Sequence, residues 1–232
     1  MFVFFFFFLQ NHREHAEHLT YWLANISELV YFLEHDRDLS PNTSQIQMRL
    51  TKQIQRTFYY LINHLENQID RHLIIWTNFR RNSSQIQSND NLFEFLSLII
   101  ELFRKSRLNP QITLAIFARL FYYINTFLFN RIVCQPELRL CSRGSGDLIA
   151  YQLRLLDRWA LEQGLEFLSQ RYLEQIRQLC RVLQSKKSDQ KDVEQFLADG
   201  SLQINAVQMK EIFRNYVREK NEPSISKYFS QV

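Results

Sequence analysis

Glycine and proline are scarce in this chain. Four of each occur in 232 residues, about a quarter of the share that ordinary usage would supply. Glycine-rich phosphate loops, Rossmann crossovers and many-turned β-sandwiches or barrels all need residues at positive φ or tight turns, and the deficit excludes them. Cysteine is scarce too. Cys134, Cys141 and Cys180 fit a reducing compartment, and Cys134 with Cys141 lacks a second pair to complete a zinc site. Charge of one sign is also missing: 28 basic against 24 acidic side chains leave +4. Arg171, Arg177 and Arg181 are interrupted by Glu162, Glu166 and Glu174, so no basic stripe emerges and no nucleic-acid partner is expected.

Phenylalanine, by contrast, is abundant. Six of the 20 copies fall in the first eight residues, within the run MFVFFFFFL from Met1 to Leu9. As a helix that run reaches about 14 Å, against a hydrocarbon core of about 30 Å. It has no basic n-region or small-residue cleavage site, so it does not read as a signal peptide. A phenylalanine run ending in Leu-Gln is what a thymine-rich tract ahead of a splice acceptor encodes when read through. Residues 1–10 are accordingly expected to be a gene-model artefact or disordered, with one domain over 11–225 and a tail over 226–232.

Apolar spacings of three and four then recur along the chain. Leu19, Trp22, Leu23, Ile26, Leu29, Val30 and Leu33 make one helical face, broken by His35–Ser40 and Pro41. Ile46, Leu50, Ile54, Phe58, Leu61 and Leu65 make a second, extending through Ile69 and Leu73 to Trp76. Asn82–Asn91 is polar and reads as a flexible insertion. A third helix covers about Leu92–Lys105, with Leu92, Leu96, Ile99 and Phe103 inward. Asn109 and Pro110 supply a cap and a first-turn proline for a helix reaching about Val133. That helix is apolar on nearly every side, with Arg119, Thr126 and Asn130 as a thin polar stripe. Its length would allow a membrane span, but Arg119 near its middle would cost about 2.5–3.5 kcal/mol there, so a buried central helix is expected and no integral membrane span. A fifth helix is read over about Asp147–Gln163, with Ser145 or Asp147 near its cap and Gly164 as the C′ residue. A sixth carries Leu168, Tyr172, Ile176, Leu179 and Leu183. Ser185–Lys191 is a charged break, and Asn205 caps a last helix with Met209, Ile212, Phe213, Tyr216 and Val217 inward. The fold class is all-α: an elongated multi-helix bundle around a long buried central helix.

No motif carries specific chemistry. His12, Glu14, His15, Glu17 and His18 are dense, but the histidines sit three apart and no third ligand is identifiable. His35, His64 and His72 are scattered. Arg143-Gly144-Ser145-Gly146-Asp147 departs from the nucleophile elbow, since the glycines flank Ser145 directly and no strand precedes it. No catalytic, cofactor-binding, metal-binding or partner-binding residue is assigned.

Several stretches in order do resemble a known family. Tyr21-Trp22-Leu23-Ala24-Asn25-Ile26-Ser27-Glu28-Leu29, Phe32-Leu33 and Asp36-Arg37-Asp38-Leu39 resemble the opening of the dilute (DIL) domain in afadin/canoe scaffolds. Ile124–Arg131 is similar to the family's L-F-N-R segment, and Cys141-Ser142 to its C-S, although myosin tails carry an aromatic where Arg143 stands. Trp159-Ala160 with Glu162–Glu166, then Gln208, Ile212-Phe213, Asn215-Tyr216 and Glu222-Pro223, complete the likeness. DIL domains also form class V myosin cargo-binding tails and occur in Radil and Rasip scaffolds. The resemblance implies the dilute-domain fold and a non-enzymatic interaction domain without cofactors. It would be a fragment of an afadin-like scaffold, cytoplasmic and peripheral at cell–cell junctions, linking adhesion receptors to actin. Other proteins would bind in grooves between its helices. A class V myosin-type tail or another DIL-containing Ras/Rap-effector scaffold is the alternative; an enzyme and a membrane protein are the more distant ones.

Overall fold

The computed structural model describes residues 16–77, 90–185, 187, 203–219 and 222. The expectations for residues 1–10, for His12, Glu14 and His15, for most of the 82–91 loop, and for the tail lie outside those residues. Among the described residues eight α-helices occur and no strand. They are α1 (Ala16–His35), α2 (Ser44–Trp76), α3 (Asp90–Lys105), α4 (Pro110–Val133), α5 (Arg143–Glu162), α6 (Glu166–Tyr172), α7 (Glu174–Gln184) and α8 (Ala206–Asn215). The chain divides into two compact units, one of residues 1–71 and 90–120, the other of 72–89 and 121–232.

In the first unit α1 ends where Asp36 folds its carboxylate back. Asp36 Oδ1 accepts from the Asp38 and Leu39 amides, both at 2.9 Å, an Asx turn that gives the D-R-D-L segment its shape. Pro41 then lies inside a short 3-10 turn, Ser40–Asn42. Ile26, Val30 and Leu33 of α1 pack with Leu50 of α2, and Trp22 and Ile54 close over them. Two residues expected inward face water instead: Leu29 is 46% exposed and Ile46 42%. Phe103 of α3 meets Phe117 of α4 edge-on at 6.2 Å. The chain leaves α3 through a Schellman closure, with Leu108 N–H donating to Phe103 O and Arg107 N–H to Arg104 O. Arg107 takes the left-handed position at φ 53, where glycine is the usual choice.

α4 begins as its sequence dictates, with Asn109 Oδ1 accepting from Gln111 N at 2.9 Å. It is a core helix in both units: Ile116, Phe117 and Leu120 are buried in the first, and Phe121, Ile124, Leu128, Phe129, Ile132 and Val133 in the second. By length and composition it is the one described helix able to cross a membrane. Its solvent side is broader than a thin stripe, since Leu114 and Tyr122 are exposed beside Arg119 and Asn130. Arg119 Nε donates to Glu66 Oε1 at 3.1 Å; burial still raises the Glu66 pKa more than this neighbour lowers it.

In the second unit α5 starts one turn earlier than expected. Its N-cap is Ser142, whose hydroxyl accepts from Ser145 N; neither Ser145 nor Asp147 fills that role. The two glycines therefore sit in the first turn of the helix rather than in a loop. Gly146 is there for space: a Cβ on it would lie 2.8 Å from Leu183 Cβ and 3.3 Å from Cys180 O, so α5 and α7 approach closely. α5 ends at a Schellman motif with Gly164 at φ 71, Leu165 N–H reaching Ala160 O at 2.7 Å. The expected sixth helix is two helices, α6 and α7, parted at Leu173. The Ser169 carbonyl there accepts from Leu173 N at 3.1 Å and from Arg177 Nη2 at 3.3 Å, and the fully buried Leu173 side chain anchors the corner. α8 opens on a full capping box between Asn205 and Gln208.

Candidate docking site

From Asn125 onward, several residues that carry the family likeness turn out to be fasteners. Asn125, only 4% exposed on α4, accepts from Ile176 N at 2.8 Å and donates to Gln175 Oε1 at 3.1 Å, tying α4 to the start of α7. Asn215 donates from Nδ2 to Val133 O at 2.9 Å, tying α8 to the end of α4. Arg131 donates from Nε to Thr77 Oγ1 at 2.8 Å. Trp159 and Ala160 are buried in α5. Nearby, Arg177 forks onto both oxygens of Asp157 at 2.5 and 2.6 Å, a geometry that orients α7 on α5. Arg181 pairs with Glu174 at 2.6 Å, so two of the three arginines along this stretch are spent on carboxylates.

Cys141 and Ser142 sit where the chain after α8 returns. Val217 N–H donates to Cys141 O at 2.7 Å, and the Cys141 thiol donates to Ile212 O at 3.2 Å. Glu219 Oε1 accepts from Gly144 N at 2.7 Å, placing a carboxylate on the N-terminal amides of α5, where the helix dipole favours it. Tyr216 donates its hydroxyl to Glu222 Oε1 at 2.8 Å. Lys187 is 6% exposed; its ammonium donates to Leu183 O at 2.7 Å and Ser185 O at 2.9 Å and lies 4.2 Å from the Tyr216 ring centre. Burial lowers its pKa to about 8, against the raising effect of Glu222. Burial likewise raises the Cys141 and Cys180 thiols to about 12, so both are protonated and unreactive at neutral pH. Ser145 is buried at the helix start with its hydroxyl 3.0 Å from that of Ser142, the position of a turn residue and not of an exposed nucleophile.

Among the described residues, each unit has a concavity. Beside the returning chain is a cleft of about 580 Å³ with Arg131 and Arg139 set against Glu137 and Glu219. In the first unit a groove of about 350 Å³ runs over Leu65, Phe95, Leu98, Ile99 and Leu102, with His64, Glu101 and Lys105 along it. Of the histidine-rich opening, only Glu17 and His18 are described, both exposed on α1. No group of three His, Cys, Asp or Glu able to hold a metal occurs among the described residues. Shape and chemistry thus suit the groove to apolar side chains of a partner segment. Sequence reasoning had no signal for either concavity, because each is lined by residues distant along the chain.

The fold is that of class V myosin cargo-binding domains. It matches the structure of Myo2-GTD in complex with Smy1 at a TM-score of 0.76 and 16% identity, covering 95% of this chain and 60% of that one. The structure of Myo2-GTD in complex with Mmr1 matches at 0.73 and 15%, with the same coverage, and a yeast myosin 5 cargo binding domain at 0.66 and 16%, covering 97% and 58%. At these identities the likeness is one of fold. Residues 115–220 match the DIL domain family. Human unconventional myosin-Vb is 23% identical over 225 residues, taking in 80% of this chain and 12% of the myosin; the rat protein matches equally. The chain therefore spans about an eighth of the length of these curated relatives. Within this chain the DIL match covers residues 115–220, and the likeness to the myosin V tail structures is one of fold.

Proposed function

We propose that this chain is a non-enzymatic protein-docking domain, the DIL piece of an afadin-like scaffold that links adhesion receptors to actin at cell–cell junctions. The observation that carries the docking role is how the residues within the DIL match are used. Asn125, Cys141 and Asn215 tie separate segments together, Ser142 caps α5 and Trp159 is buried, which leaves recognition to grooves and outward faces. Solved domains of the same fold hold the proteins Smy1 and Mmr1, and this supports a protein as the ligand here. The afadin-like reading rests on Tyr21–Leu29 and Asp36–Leu39, outside the matched segment, and on Trp159-Ala160 with Glu162–Glu166 inside it. A class V myosin-type cargo tail is the second reading, favoured by the myosin-Vb likeness.

The experiment is to sequence the full transcript, tag the encoded protein at its own locus and image it in epithelial cells. A PDZ or Ras-association module upstream and enrichment at cell contacts are expected. A motor domain with coiled-coil heptads, and moving puncta along actin, would establish the cargo-tail reading in its place.

A further inference from the structure

α1 is apolar on two sides. Its inward side holds Leu19, Leu23, Ile26, Val30 and Leu33, as a surface helix should. Its outward side carries Tyr21 at 55% exposure, Leu29 at 46%, Tyr31 at 59% and Phe32 at 55%. At about 100° per residue, Tyr21, Glu28 and Phe32 fall on one line, with Leu29 on one flank and Tyr31 on the other. Single exposed apolar side chains are ordinary; four on three turns of one helix are an interaction feature. The segment that carries them is acidic. Glu17, Glu28, Glu34, Asp36 and Asp38 face a single arginine, Arg37, across this stretch, in a chain whose formal charge is +4. Glu17, Glu28, Glu34 and Asp38 are exposed.

We propose that the outward face of α1 docks a basic amphipathic helix of a partner protein. Tyr21 to Phe32 spans about 16 Å of helix, enough for apolar partner residues at i, i+3 or i+4, and i+7. Lysines or arginines flanking those positions meet Glu28 inside the stripe and Glu17 one turn before Tyr21. The charge decides against the other occupants. A second copy would set the same acids against one another, and an anionic membrane would be repelled. This inference rests on the docking-domain reading and names the chemistry of one partner, at a surface outside residues 115–220.

The test uses the whole chain and a fluorescent helical peptide of leucine and lysine, roughly 18 residues long to match the stripe. Its controls are a scrambled version and one with glutamate in place of lysine. Anisotropy is expected to show the amphipathic lysine peptide binding about tenfold or more tighter than either control. F32S and E28K should each weaken it several-fold with helical circular dichroism unchanged, whereas R154E should not. Equal binding of the scramble, or indifference to F32S and E28K, overturns the proposal. So does sedimentation as a dimer that F32S dissolves, or Phe32-dependent binding to phosphatidylserine vesicles. None of these outcomes touches the junctional localisation experiment, so the two readings fail separately.

Discussion

Helices α1 and α5 have the same length, 20 residues each, and are held in different ways. α5 is pinned by contacts that only particular residues can make: Gly146 against Leu183 and the Cys180 carbonyl, Asp157 against Arg177, Ser142 at its cap. Even its exposed Tyr151 lies under the Arg154 guanidinium, 5.7 Å away. α1 is held by generic apolar packing against Leu50 and Ile54, and keeps a second apolar face in water. Both helices carry residues of the family likeness, Trp159-Ala160 in α5 and Tyr21–Leu29 with Phe32 in α1. Only on α1 do several of them face water, and that is where a recognition surface can be built.

The comparison can be broken first at Gly146. G146A puts a methyl into a 2.8 Å gap with Leu183 Cβ, and urea titration should show a loss of about 3 kcal/mol. Lys187 comes next. Its pKa is about 8 in the folded chain against an ordinary 10.5, so between those values the unfolded state holds a proton the folded state lacks. Stability from this group therefore rises with pH from about 8 to about 10.5, by on the order of 3 kcal/mol, and is absent below 8. K187M should be the more stable protein at pH 7, and its advantage should shrink across that window. N125A strands the buried Ile176 amide, and the midpoint should move by about 2 kcal/mol.

On the α1 side the effects are smaller. Thr20 is fully buried with no partner for its hydroxyl among the described residues; T20V should stabilise by about 1 kcal/mol. F32S should change stability by less than about 0.5 kcal/mol while weakening peptide binding. A large stability loss in F32S would show that the outer face of α1 is structural after all.

Much of the helical order was readable in advance because its causes are local. The Asn109 and Pro110 pair, Gly164 and the Asn205 cap each act within a few residues, and all three stand where expected. Glycines at 144 and 146 look like a loop in sequence, which puts the start of α5 one turn late; the contacts that explain them come from Leu183 and Glu219, far along the chain. The split at Leu173 has no local signal, because α6 and α7 share one apolar spacing; at the break Arg177 reaches back to the Ser169 carbonyl. Spacing alone puts Leu29 and Ile46 inward, since it does not say how wide a buried stripe is; the structure exposes both. Phe32 carried no periodic signal, yet it is the centre of the outward face.

What the sequence determined by itself is the all-helical class and most helix ends. Few glycines and prolines, apolar residues at intervals of three and four, and capping side chains act through neighbours along one turn. Only the tertiary structure decided how close α5 and α7 lie, where the Lys187 ammonium is buried, and which apolar side chains of α1 meet water. Each of those depends on residues tens of positions apart, whose meeting no local pattern encodes.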